Sequence, residues 1–133
     1  MTMLRKICRD EGGATVIEMA IALPVLVSFI YGIFQLGVIF QANAGMQHAL
    51  GEGARYATIW PTPNDANIKS KVSSEVFGTK NGTFTVADPV TNADASKTLS
   101  VTFSMPTNFL FMAGPTVNIT RSKKVYIYVG GGS

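Results

Sequence analysis

Between Met19 and Gly51 the chain carries no Asp, Glu, Lys or Arg. Its apolar heart, Met19–Phe40, is 22 residues long, and only Ser28, Tyr31 and Gln35 bring polar side-chain atoms into it. A helix of that length extends about 33 Å, enough to cross a hydrocarbon core about 30 Å thick. Pro24, Gly32 and Gly37 disfavour a water-exposed helix but are common in membrane spans. A buried core helix is the alternative, and the rest of a 133-residue chain is too small to enclose one. Charged residues make up 14% of the chain, against about 25% in soluble domains. The pattern predicts a single-pass membrane protein.

The flanks set its orientation. Residues 1–13 read MTMLRKICRDEGG, with Arg5, Lys6 and Arg9 on the N-terminal side of the span. Basic flanks stay cytoplasmic, so the N-terminus is expected in the cytoplasm and the C-terminal part in the periplasm, across an inner membrane. The apolar run is longer than the core of a secretory signal peptide, about 7–15 residues. Cys8 precedes the span and reads as an inert cytosolic thiol. With one Cys and one His in the chain, no metal site and no internal disulfide are expected. The 11 Lys and Arg residues are scattered rather than gathered on a stripe, which argues against a nucleic-acid partner.

The junction between leader and span reads Gly12-Gly13-Ala14-Thr15-Val16-Ile17-Glu18-Met19. A short basic leader ends in glycine, four uncharged residues follow, and a glutamate stands at the mouth of the apolar run. A carboxylate there costs less than the roughly 2.5–3.5 kcal/mol it costs at mid-membrane, yet still favours a partner. The segment resembles the leader signal of type IV pilins and pseudopilins. The resemblance implies cleavage by a prepilin peptidase between Gly13 and Ala14, with Gly12 a competing position. It also implies that Glu18, then the fifth residue, pairs with the Ala14 ammonium of a neighbouring subunit.

Further on come Leu23-Pro24, Gly32-Ile33-Phe34-Gln35-Leu36-Gly37 and Glu52-Gly53-Ala54-Arg55-Tyr56-Ala57. Together with the leader they resemble the TadE-like family of minor pilins or pseudopilins of the tight adherence (Tad) pilus. Met19 stands where that pattern commonly has an aromatic residue, and Gln35 where it commonly has an acidic one. The resemblance implies a structural role in pilus assembly, at initiation or tip, within an adhesion and secretion apparatus. Its partners would be the prepilin peptidase, other pilin or pseudopilin subunits and the inner membrane, with incorporation into an extracellular pilus. The competing reading is an uncleaved single-span anchor carrying a small periplasmic binding domain.

Helical spacing continues from Gln41 to Trp60, with Ala42, Met46, Ala49, Leu50, Gly53, Ala57 and Trp60 on one side. Gly45, Ala49, Gly53 and Ala57 form a small-residue stripe that permits close helix packing, either with another subunit or with this chain's own C-terminal part. His48 reads as an exposed helix residue, and Glu52 and Arg55 as a surface pair. Pro61 and Pro63 end the helix.

Beyond them a second helix is predicted over 65–77, with Gly78 as its C-terminal cap. Asn81-Gly82 marks a turn before a short strand at 83–86. Leu99, Val101, Phe103 and Met105 alternate with polar residues, as do Val117 and Ile119, and then Val125, Ile127 and Val129. Residues 107–114, bounded by Pro106 and Pro115, read as an apolar loop, either core or a contact with a partner or membrane surface. Arg121, Lys123 and Lys124 read as a solvated strand edge, and Gly130–Ser133 as a flexible tail.

The expected fold class is therefore α+β. A long N-terminal transmembrane helix extends into a small periplasmic module with a second short helix and a three- or four-stranded antiparallel sheet. The expected divisions are a leader at 1–13, a membrane helix at 14–40, its extension at 41–60 and the module at 61–133. No catalytic motif is recognisable, so neither an enzyme nor a cofactor is expected.

Overall fold

A computed structural model of the chain describes the backbone of residues 11–78, 81–109 and 112–127. Most of the leader, Leu110 and Phe111 of the apolar loop, Tyr128 and Val129 of the last alternating run, and the Gly130–Ser133 tail lie outside the described residues.

Helix α1, Glu11–Ala57, has 47 residues and is about 70 Å long at 1.5 Å per residue. Pro24 sits inside it. The hydroxyl of Ser28 donates to the Pro24 carbonyl at 2.8 Å, so that hydroxyl is satisfied on an otherwise apolar surface. Val16, Ile21, Phe29, Ile33 and Phe40 are all well exposed. Among the described residues α1 is the one helix long and apolar enough to cross a membrane.

Its C-terminal part is covered. Val38, Ala42, Met46, Ala49, Leu50, Ala54 and Ala57 are buried in one core with Ile68 and Val72 of the second helix, α2 (Asp65–Glu75). The Asn64 side chain caps α2 by accepting from the Asn67 N–H at 2.8 Å. The helix stops at Glu75, and Val76 follows in an extended conformation (φ −68°, ψ 128°). Gly78 is thus not the left-handed cap expected from the sequence, and no described glycine has positive φ. Trp60 continues the helical spacing in the sequence but is 72% exposed. The helical hydrogen bonds give out at Ala57, and Thr58 and Ile59 close a tighter turn onto Arg55 and Tyr56, which swings Trp60 off the buried face.

Four antiparallel strands complete the module: β1 (Thr83–Val86), β2 (Val90–Thr91), β3 (Ser96–Phe109) and β4 (Met112–Tyr126). β4 pairs along β3 from Ser96↔Tyr126 to Phe109↔Met112. β1 and β2 take successive stretches of β3's other side. Leu99, Val101, Phe103 and Met105 turn inward and are buried, as their alternation predicts. On the opposite face Thr102 and Thr120 share a hydrogen bond, and Ser104 donates to Asn118 at 2.6 Å. The Phe103 ring stacks at 4.7 Å on Phe84 and lies over Gly82. A Cβ at Gly82 would fall 2.3 Å from that ring, so the turn needs glycine for close approach.

The segment expected as an apolar loop is instead the end of a long hairpin, with Asn108↔Ala113 and Phe109↔Met112 in register. Pro106 and Pro115 look like breakers in the sequence. In the structure a register shift lies between Pro106 and Asn108, and Pro115 lies in β4, which pairs with β3 alone among the described strands. Bulges and edges are where strands tolerate proline.

At the hairpin's other end Asp94 accepts from Lys124 Nζ at 2.6 Å, from the Ser96 hydroxyl at 2.5 Å and from the Ser96 N–H. The Lys124 ammonium first, and then Ser96, lower its carboxyl from 3.8 to about 2. The native state therefore binds the proton less readily than the unfolded chain. The resulting stabilisation is complete above about pH 4 and is lost as pH falls towards 2. Asp94→Asn is expected to lower stability at neutral pH and so to flatten the acid limb of the stability–pH curve in that window. Denaturant unfolding of both proteins between pH 2 and 5 reads this out.

Candidate functional site

Gly13, Ala14 and Glu18, the residues expected at the cleavage point and in subunit pairing, lie on the first turns of α1. The helix runs unbroken through Gly12 and Gly13 into Ala14, so the Gly13–Ala14 peptide bond is in helical backbone. Each glycine costs a helix about 1 kcal/mol relative to alanine, so two in a row make this the turn that opens most easily for a protease. A Cβ at Gly13 would meet nothing within 4 Å. Its smallness therefore serves no packing within the chain.

Glu18 stands one helical turn beyond Ala14, on the same side of α1. Its neighbours Val16, Ile17 and Met19 are all more than 60% exposed. Glu18 makes no hydrogen bond or ion pair among the described residues. An unpaired carboxylate is thus held on an apolar helix end, next to the atom that becomes an amine if the leader is removed. Within one subunit the two groups lie a helical turn apart on one side of α1. In two staggered, parallel helices the carboxylate of one can face the amine of the next.

The stripe of Gly45, Ala49, Gly53 and Ala57 is occupied within the chain. Its residues are buried, and a Cβ at Gly45 would lie 1.8 Å from the Phe77 carbonyl oxygen. One at Gly53 would lie 2.2 Å from Val72 Cγ2. The stripe therefore seats α2 and the strand-like segment after it. That leaves most of the apolar surface from Val16 to Leu36 open to lipid or to other helices.

The remaining polar side chains are structural. Arg55 donates to Glu52 at 2.8 Å, and this bond holds the Glu52 carboxyl below its ordinary range. His48 is half exposed, 3.7 Å from Glu75 and stacked near Phe77. Arg121 donates to Asn43 at 2.7 Å, tying β4 to α1. Among the described residues no cluster of His, Cys, Asp and Glu has metal-binding geometry.

One contact was not visible in the sequence. Gln35 Nε2 donates to the Asn108 carbonyl at 2.6 Å, joining positions 73 residues apart. It closes a cleft of about 240 Å³ between α1 and the hairpin, lined by Tyr31, Phe34, Val38, Met105 and Pro106. The only sequence signal was a lone amide inside an apolar run, which needs a partner.

Comparison with curated proteins and comparison with solved structures each gave no significant match. Comparison with family models matches residues 13–55 to the TadE-like protein family. The match opens on Gly13, contains Glu18 and ends two residues before α1 does. The family that the N-terminal segment resembles is thus the one whose model matches it, over residues 13–55, about a third of the chain and nearly the whole of α1.

Proposed function

We propose that this chain is a minor pilin or pseudopilin of a Tad-type pilus, with a structural role in assembly. α1 anchors it in the inner membrane, N-terminus in the cytoplasm and module in the periplasm. A prepilin peptidase removes residues 1–13, and the processed subunit joins other pilin-like subunits through Glu18 and the new Ala14 amine. The observation that carries this reading is the placement of an unpartnered carboxylate one turn from a glycine-ended leader, in a segment that the TadE-like family model matches from Gly13 onward. The folded module after Ala57 supports a minor subunit, at tip or initiation, over a shaft subunit, since major Tad pilins resemble the chain only in leader and span.

The test is the mass of the protein in a host with and without the peptidase. With it, the chain is expected to start at Ala14, and Gly13→Ala is expected to retain residues 1–13. An intact chain in both hosts, with Gly13→Ala changing nothing, would point instead to an uncleaved anchor carrying a periplasmic binding domain.

A further inference from the structure

The module meets α1 well inside the apolar run. The apolar run Met19–Phe40 is about 33 Å long, the thickness of a hydrocarbon core. The hairpin reaches α1 through the Gln35–Asn108 bond, five residues or about 7.5 Å short of the outer end of that run, so this part of the hairpin stands at the level of the core's outer edge. β3 runs back along α1 towards the membrane. Its start is held near α2 by the Lys97–Asp65 pair, and its last residues reach Gln35. β4 returns past Asn43, where Arg121 bonds. The hairpin is polarised along this axis. Asp94, Lys97, Arg121, Lys123 and Lys124 all lie towards the far end, and no residue from Thr98 to Thr120 is charged. Asn108 and Ala113 pair at the near end, where Asn108 and the exposed Phe34 of α1 line one cleft. Edge strands in water are normally guarded by charge, and β4 has none over its first nine residues. Apolar and aromatic residues at such a level suit the headgroup–acyl boundary.

We propose that the uncharged end of the β3–β4 hairpin rests in the outer-face headgroup–acyl boundary of the bilayer that holds α1, with lipid as its partner. The hairpin then fixes the height and tilt of the module on the membrane. The inference rests on the membrane-anchor part of the proposed function and not on its pilus part.

The full chain, with Cys8→Ser, is reconstituted in phosphatidylethanolamine–phosphatidylglycerol vesicles, modules outward. A single cysteine carrying an environment-sensitive fluorophore is placed at Ala113, at Ala93 in the far turn, or at Phe29 in α1. External iodide is expected to quench the Ala93 probe and to lose most of its effect at Ala113 and Phe29. A lipid with a shallow nitroxide is expected to quench Ala113 strongly and Ala93 hardly at all. A Phe29 probe shielded from iodide beside an Ala113 probe as accessible as Ala93 would overturn the lipid contact alone, leaving that end for water or another subunit. A Phe29 probe open to iodide would overturn the anchor reading and this inference with it.

Discussion

Glu18→Ala is expected to insert into the membrane as well as the native chain and to be nearly absent from pili. Removing a carboxylate from the mouth of the apolar run lowers the cost of insertion. The same change takes away the only charged side chain between Gly13 and Gly51, and so the only ionic partner this helix offers a neighbour's Ala14 ammonium. An ammonium left unpaired among packed helices costs about 3–5 kcal/mol, a factor of several hundred or more in subunit recruitment. Cleavage at Gly13 does not need the pair, so processing and assembly should separate. Membrane-fraction level and processed size report the first, and chain recovered with sheared pili reports the second. Normal incorporation of Glu18→Ala would return Glu18 to an interfacial residue with no pairing role.

Gly45→Ala is expected to be the most damaging single methyl in the described structure. The added Cβ would lie 1.8 Å from the Phe77 oxygen and 2.8 Å from its carbonyl carbon. These are backbone atoms of a chain fixed between α2 and β1, so relief requires α1 and that segment to part. Overpacking of this kind costs about 1–3 kcal/mol and occasionally more. For a module of this size the midpoint of thermal unfolding should fall by the order of 10 °C. Gly53→Ala should cost less, because the atom it meets is Val72 Cγ2, which can turn away. Gly37→Ala, with nothing within 4 Å, should leave the module unaffected. Thermal melts of the detergent-solubilised chains, with limited proteolysis of the module, rank the three. Equal melts for Gly45→Ala and Gly37→Ala would show that the stripe does not seat α2.

What was legible in the sequence was whatever a local period could carry. The 3.6-residue spacing through Met46, Ala49 and Gly53 and the two-residue alternation of Leu99, Val101, Phe103 and Met105 both mark faces that are buried in the structure. The α+β arrangement, with the helix against a four-stranded sheet, followed from those two faces. The hairpin end was misread because Pro106 and Pro115 signal breaks locally, whereas a register shift and an edge position accommodate them here. β2 is two residues long, too short for any period to show. The helical spacing continues in the sequence through Trp60, but the backbone turn at Thr58 ends the helix before it. The small-residue stripe showed that something packs closely on α1 without showing what, since glycine spacing is the same for an internal and an external partner. The Gln35–Asn108 contact depends on where a strand ends 73 positions away. Gly13, Ala14 and Glu18 were singled out by their resemblance to a pilin leader signal, and their proposed roles rest on position along one helix rather than on tertiary packing.

The central claim is that the TadE-like segment is a processed subunit signal, and the N-terminus of the chain recovered from sheared pili tests it most directly. The account predicts a chain that begins at Ala14, present in the pilus fraction and dependent on both Gly13 and Glu18. A chain that begins at Met1 and stays wholly in the membrane fraction, in cells that assemble pili and contain the peptidase, would contradict it.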